Sequence, residues 1–80
     1  MPNLSRFRQD PSLLALGAVI CKRRSELSLS QEQLALAAGL DRSYVGQIER
    51  GDNNVTLLNL KRIADALGTT VEKLMMEAAL

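Results

Sequence analysis

Four hydrogen-bonding side chains lie close together near the middle of the chain: Arg42, Ser43, Tyr44 and Gln47. An arginine can donate to O6 and N7 of guanine, and a glutamine can pair with N6 and N7 of adenine. In a helix these side chains point away from an apolar patch formed by Val45 and Ile48, which are three residues apart. The sequence therefore predicts a polar helix edge whose chemistry suits contact with base pairs, provided that neighbouring elements hold that edge exposed.

Catalytic and metal chemistry have little support in the sequence. The chain has no histidine, and its single cysteine, Cys21, has neither a base nor a disulfide partner. The glutamates form no recognisable inward-facing set for acid–base work: Glu26, Glu32, Glu49, Glu72 and Glu77. We therefore expect no enzyme activity, no metal and no cofactor.

Length and charge limit the remaining functions. Eighty residues, 46% apolar and 2% aromatic, predict one small all-α domain over residues 10–80, with residues 1–9 as a flexible arm. Because no room remains for a sensor domain, we expect no small-molecule ligand. Residues 1–29 carry five cations and two anions, whereas residues 30–54 carry two cations and four anions. Only a local cluster of basic side chains on one face could then attract nucleic acid.

Capping residues divide the chain into five predicted helices, which begin after Asp10, Ser30, Asp41, Thr56 and Thr70. Pro11 suits the first turn of helix 1, which runs to about residue 27, and Gln33 completes a capping box with Ser30. Gly39 ends helix 2, Gly68 ends helix 4, and helix 3 covers about residues 42–50.

Helices 2 and 3 are predicted to pack at a steep angle. Each carries one apolar patch: Leu34 with Ala38, and Val45 with Ile48. Since the two patches must face each other, the small side chain of Ala35 lets the helix axes approach closely. Gly39 provides the sharp exit from helix 2, and Leu40 can fill the corner between the helices.

This pattern resembles the phage-repressor/Cro type of helix-turn-helix, the Xre family, over residues 16–75. Eight residues match the family pattern: Gln31, Leu34, Ala35, Gly39, Val45, Ile48, Glu49 and Gly51. The run from Leu57 to Leu67 resembles the family's fourth helix. Within the family, residues 41–50 look most like the controller proteins of restriction-modification systems, although phage and plasmid repressors use similar residues.

The resemblance implies a compact five-helix, repressor-like domain that regulates transcription by binding duplex DNA at specific sequences. Helix 3 would enter the major groove and helix 2 would cross the phosphate backbone. The base-reading residues would then be Arg42, Ser43, Tyr44 and Gln47. Expected phosphate contacts are Gln31, Arg23, Arg50, Asn53 and Asn54, while Arg6 and Arg8 are either a frayed terminus or an arm along the duplex.

Arg24 carries a charge on the apolar stripe of helix 1, in line with Leu16, Ile20 and Leu27. A charge at such a position needs a partner. The best candidate is Glu49 at the end of helix 3, and the family often pairs an arginine with a glutamate at these positions. We therefore expect a structural ion pair that ties helix 1 to helix 3.

Helix 5 carries more apolar surface than one inward face can bury, which predicts a homodimer. The expected interface residues are Val71, Leu74, Met75 and Ala78; the alternative is that the last apolar residues are a frayed terminus. Dimerisation would place two recognition helices about 34 Å apart, matching the half-sites of a two-fold operator. RNA polymerase is then a further partner, blocked or recruited according to operator placement.

The rival hypothesis is a helical protein-interaction module, such as an antitoxin-like partner or a coactivator adaptor. It is favoured by the weak net charge and the apolar C-terminus, and it predicts weak or no specific DNA binding. Under either hypothesis we expect no membrane partner, because the longest apolar stretch, residues 13–21, is far below the roughly 18 residues that span a bilayer. The expected location is cytoplasmic, and nucleoid-associated when the protein is bound to DNA.

Overall fold

The computed structural model describes residue 7 and residues 9–80, and this part of the chain contains five α-helices and no strand. The helices are α1 (Pro11–Glu26), α2 (Gln31–Ala38), α3 (Arg42–Arg50), α4 (Leu57–Ala66) and α5 (Val71–Glu77). The all-α, five-helix prediction is thus confirmed, and the bounds agree closely with those expected from the caps. Arg6 and Arg8 of the predicted arm lie outside the described residues.

Four of the five predicted caps form hydrogen bonds. Asp10 accepts from the backbone of Ser12 at 2.9 Å, and Ser30 and Gln33 make both bonds of a capping box, at 3.0 and 2.8 Å. The hydroxyls of Thr56 and Thr70 each accept from a backbone N–H in the first turn of the following helix. Asp41 occupies the predicted N-cap position of α3, but its side chain makes no capping hydrogen bond. Its carboxylate is exposed, so water can satisfy it instead.

One core holds all five helices together. Its largest fully buried side chains come from every helix: Ile20, Leu34, Val45, Ile63 and Leu74. Leu27 was expected on the inner stripe of α1 but is half exposed, because α1 ends at Glu26 and Leu27 is its C-cap. The apolar patches of α2 and α3 meet in this core, as their spacing requires.

A glycine sets the distance between α1 and α3. A Cβ added to Gly17 would lie 2.4 Å from the carbonyl oxygen of Ile48 and 2.6 Å from that of Glu49. Both atoms belong to the backbone of α3, which cannot move aside as a flexible side chain can. Gly17 therefore allows α1 to press directly against the C-terminal half of α3, a role for this glycine that was not predicted from the sequence.

The structure corrects the predicted dimer interface on α5. Leu74 is completely buried and Ala78 nearly so, while Val71 and Met75 pack against the core. Three residues of this seven-residue helix and its C-cap, Ala78, form one inward stripe, because their spacing of three and four returns to the same face. Leu74 and Ala78 therefore cannot form a homodimer interface without leaving the core of their own chain, whereas Val71 and Met75 are only half-buried.

The segment before α1 is attached to the loop after α3. The backbone N–H of Gln9 donates to the carbonyl of Gly51, and its side-chain amide donates to the carbonyl of Arg50 at 3.0 Å and to Asp52. Gln9 was predicted to end a flexible arm. The structure instead fixes this residue against the end of α3.

Candidate nucleic-acid interface

The N-terminal edge of α3 is presented by the turn that follows α2. Gly39 ends α2 with a φ of 70°, a left-handed conformation that glycine adopts without strain, and Leu40 donates its N–H to the carbonyl of Ala35 at 2.8 Å. The chain thus reverses within a few residues before α3 begins. Arg42 and Ser43, the first two residues of α3, are both exposed.

Arg42 places an exposed positive charge at the start of this edge. Its side chain forms no ion pair with any residue in the described part of the chain. Val45 and Ile48, on the inward face of α3, are buried in the core. The helix is therefore held by its apolar face while the edge that begins at Arg42 stays open.

Tyr44 is more buried than the sequence predicted. It is half-buried against the core, and its hydroxyl accepts a hydrogen bond from Nδ2 of Asn59 at 3.0 Å. Asn59 lies in the first turn of α4 and was not among the predicted site residues. No spacing rule would have found it, because the contact depends on the path of the loop between α3 and α4.

Gln47 and Asn53 are brought together at the other end of the same edge. Nδ2 of Asn53 donates to Oε1 of Gln47 at 2.9 Å, and both residues are part-buried. Asn54, the next residue in the loop, is exposed. The structure therefore joins a predicted base-reading residue to a predicted phosphate contact.

The ionic centre of the site is Glu49. Arg24 donates from Nε to Oε2 of Glu49 at 2.7 Å and from Nη2 to Oε1 at 3.1 Å, and its Nη1 donates to the carbonyl of Leu29 at 2.7 Å. The Glu49 side chain is only 4% exposed. The hydrogen bond to this carboxylate raises the pKa of Arg24 above its ordinary value, against the effect of burial.

Gln31 completes this ionic centre. As the first residue of α2, it donates from Nε2 to Oε1 of Glu49 at 2.9 Å. Glu49 therefore holds one residue from α1 and one from α2. The side-chain amide of Gln31, expected on a phosphate, is engaged within the protein in this structure.

Gly46 lies in the middle of α3. Its Cα is near the side chains of Gln31, at the start of α2, and of Arg50, at the end of α3. A Cβ added there would lie 3.1 Å from Nη1 of Arg50 and 3.6 Å from Oε1 of Gln31. The missing side chain at Gly46 thus leaves space for the side chains of Arg50 and Gln31, whereas at Gly17 it leaves space for the backbone of α3. Arg50 itself is 60% exposed, and its Nε donates to Oδ2 of Asp52 at 3.2 Å.

The structure separates Arg23 from the other predicted phosphate contacts. Its guanidinium forms an ion pair with Glu77 of α5, in which Nε donates to Oε1 at 3.3 Å. This interaction raises the pKa of Arg23 and lowers that of Glu77, which the charge of Lys22 lowers further. Of these two adjacent arginines, residue 23 thus faces α5 and residue 24 faces α3.

The described residues contain neither a candidate membrane span nor a candidate metal site. No helix there has the length and apolar character that a membrane crossing requires. Nor do three or more cysteine, aspartate or glutamate side chains come close enough in residues 7 and 9–80 to hold a metal ion.

Comparison with known proteins agrees with this geometry. Residues 22–74 match the family described as Helix-turn-helix. The chain is 51% identical to control protein C.SmaI of Serratia marcescens over 53 residues, which cover 66% of this chain and 63% of that protein. The match thus spans less than two thirds of the length of C.SmaI.

Solved structures extend the similarity to more of the chain. The restriction-modification controller protein C.AhdI from Aeromonas hydrophila superposes with a TM-score of 0.76 and 45% identity, covering 78% of this chain and 94% of that one. The controller protein C.Esp1396I, solved as a tetramer in complex with its natural 35 base-pair operator, gives a TM-score of 0.75 and 34% identity, covering 86% and 96%.

Sequence, fold and site lead to the same assignment. The Gly39 turn joins α2 to an α3 whose buried face lies in the core and whose polar edge begins at Arg42. The family match covers these elements, and the solved controller proteins share their arrangement. The chain belongs to the helix-turn-helix family of the phage-repressor/Cro, or Xre, type.

Proposed function

We propose that this protein is a transcriptional regulator that binds duplex DNA at a specific operator, with the polar edge of α3 in the major groove. One observation carries the proposal: Arg42 and Ser43 are exposed at the start of α3, while Val45 and Ile48 fix its opposite face in the core. In helix-turn-helix proteins, residues at the start of the second helix contact base edges. Arg42 would donate to guanine, with Ser43 beside it.

Backbone contacts would set the register of the protein on the duplex. The start of α2 offers N–H groups and the positive end of its dipole to a phosphate, close to Gln31. Arg50 and Asn54, both exposed, would contact phosphates on the far side of the groove. Arg23 is no longer included, because it pairs with Glu77.

A homodimer would present two copies of α3 to a two-fold operator. Exposed apolar side chains of α4, of α5 and of the residues after α5 support this part of the proposal: Leu57, Leu58, Met76 and Leu80. Leu57 and Leu80 also line one apolar groove together with Met75. Exposed apolar surface of this kind marks sites of association, so these residues and Met75, but not the buried Leu74 and Ala78, form the proposed interface.

The similarity to controller proteins supports regulation of a restriction-modification operon as the biological role. In that role the protein would have no catalytic activity, would act in the cytoplasm, and would take DNA, a second copy of itself and RNA polymerase as its partners. Dimerisation and occupancy of the operator would rise together with protein concentration.

Selection of bound duplexes from a random pool, followed by fluorescence anisotropy titrations at several salt concentrations, tests the proposal. We expect a two-fold sequence, affinity that falls with salt, and a loss of about tenfold or more in Arg42→Ala, with Gln47→Ala also weakened. Lys22→Ala is the matched control, since Lys22 is an exposed cation beside Glu77.

Failure of the wild-type chain to prefer any duplex sequence would contradict the proposal. That result would instead favour the protein-interaction module, for which binding of a partner protein would be unaffected by Arg42→Ala. Circular dichroism of each variant establishes that the fold is retained, so that a loss of affinity can be assigned to the α3 edge.

A further inference from the structure

We infer that Asn53 is a specificity-determining positioning residue, which holds the amide of Gln47 so that this side chain selects guanine at one operator position. The inference rests on the proposed function, because it concerns the same edge of α3. It assigns to Asn53 a role different from the phosphate contact expected from the sequence.

The contact between the two side chains fixes the direction of the Gln47 amide. Nδ2 of Asn53 donates to Oε1 of Gln47 at 2.9 Å. An amide is planar, with its oxygen and nitrogen on opposite sides, so fixing the oxygen also fixes the nitrogen. Within residues 7 and 9–80, no group accepts a hydrogen bond from Nε2 of Gln47. The oxygen of the Gln47 amide is therefore directed to the loop, and its nitrogen remains available to donate to a ligand.

The loop that carries Asn53 is itself held in place. Gly51 ends α3 with a φ of 76°, and Asp52 donates its N–H to the carbonyl of Gln47 at 2.8 Å. Gln9 adds bonds from the preceding segment to the carbonyls of Gly51 and Arg50. Because these bonds exist without DNA, the Gln47 amide is oriented before binding, which lowers the entropy lost when the complex forms.

The fixed orientation changes the base that Gln47 can read. Pairing with adenine uses both ends of a glutamine amide, which accepts from N6 and donates to N7. With one lone pair of Oε1 taken by Asn53, pairing with adenine has to use the remaining lone pair, whereas both hydrogens of Nε2 are free to donate. Guanine presents two acceptors, O6 and N7, on its major-groove edge, whereas cytosine presents an amino donor. Guanine is therefore the expected base, in place of the adenine that glutamine alone would suggest.

Replacement of Asn53 by aspartate is the sharpest test. In Asn53→Asp the side chain keeps its shape but only accepts hydrogen bonds, so the Gln47 amide must turn its nitrogen to the loop and its oxygen outward. The outward oxygen would favour cytosine or adenine, which carry amino donors. Asn54→Asp is the matched control, because it adds the same charge at the next, exposed position.

The experiment measures relative affinity for the selected operator and for its variants with each of the four bases at the position that responds to Gln47→Ala. Wild type and Asn54→Asp should prefer guanine over cytosine by about tenfold or more at that position. Asn53→Ala should reduce this preference several-fold, and Asn53→Asp should reverse it. Circular dichroism and thermal unfolding report whether each variant is folded.

The possible results separate this inference from the proposed function. If both Asn53 variants weaken binding to every operator by the same factor, with the order of bases unchanged, Asn53 is only a phosphate contact and the inference is wrong while the function stands. The inference also fails if no position responds to Gln47→Ala. Absence of any sequence preference in the wild-type chain would overturn the function and the inference together.

Discussion

At the scale of single residues, Glu49 determines how three helices meet. Its carboxylate accepts from Arg24 of α1 and from Gln31 of α2, and it is almost completely buried in α3. A buried carboxylate is tolerated only when its charge is paired and its oxygens are hydrogen-bonded. Both conditions are met here, so the position of α3 relative to its neighbours depends on a small number of polar contacts.

Arg24→Ala should therefore destabilise the fold by about 3–5 kcal/mol, because it leaves the Glu49 carboxylate buried without its cation. The free energy of unfolding, measured by urea titration at neutral pH, checks this. Arg42→Ala removes an exposed arginine of the same charge and should change stability by no more than about 0.5 kcal/mol.

A double variant distinguishes the charge from the packing. Arg24→Met combined with Glu49→Met removes both charges and leaves apolar side chains, so it should recover much of the loss. Equal stability of Arg24→Ala and wild type would contradict the structural role of this pair.

The sequence could predict the meeting of Arg24 with Glu49 but not the other polar contacts. A charge on an apolar stripe demands a partner, and the resemblance to the family indicated Glu49 at the end of helix 3. The bonds from Asn59 to Tyr44 and from Asn53 to Gln47 carry no such signal. They depend on where the loop after Gly51 leads, and polar side chains in a loop have many possible partners.

At the scale of elements, contact between α1 and α3 depends on the absence of a side chain at Gly17. A glycine inside a helix costs about 1 kcal/mol relative to alanine, so a glycine in mid-helix is itself a signal of close packing.

Helix bounds, by contrast, were predictable from caps, since Ser30 and Thr70 act through local bonds. The inward stripe of α5 was misread, because apolar residues on both sides of a short helix do not reveal which side faces the core.

Gly17→Ala should destabilise the protein by about 1–3 kcal/mol despite its better helix propensity, because the added methyl group would meet backbone oxygens of α3 at 2.4 and 2.6 Å. Gly46→Ala is the matched control: its methyl group would meet the flexible end of Arg50 at 3.1 Å. We expect this second variant to be slightly stabilised, by less than about 1 kcal/mol. Thermal unfolding of both variants measures the difference in stability. If both substitutions change stability equally, α1 and α3 can move apart to make room for the methyl group, and the close contact at Gly17 is not required.

At the scale of the whole molecule, apolar residues remain exposed after the core is complete. Leu57 is 64% exposed and Leu80 is 53% exposed, and both border the groove that Met75 lines. A domain of this size has only a few kcal/mol of stability to spare, and association of two copies is one way to increase it. The same association would set the spacing of the two α3 helices on DNA.

Leu57→Glu should convert the protein from dimer to monomer without unfolding it. A glutamate in the first turn of α4 is favoured by the helix dipole, so the change places a charge in the proposed interface while leaving the helix intact. Sedimentation velocity at micromolar concentration should show the smaller species, and affinity for a two-fold operator should fall more than affinity for a half-site. Leu36→Glu, on the exposed face of α2, should remain dimeric. A Leu57→Glu variant that sediments as wild type would exclude this groove as the interface, and a monomeric wild-type chain at DNA-binding concentrations would exclude the dimer altogether.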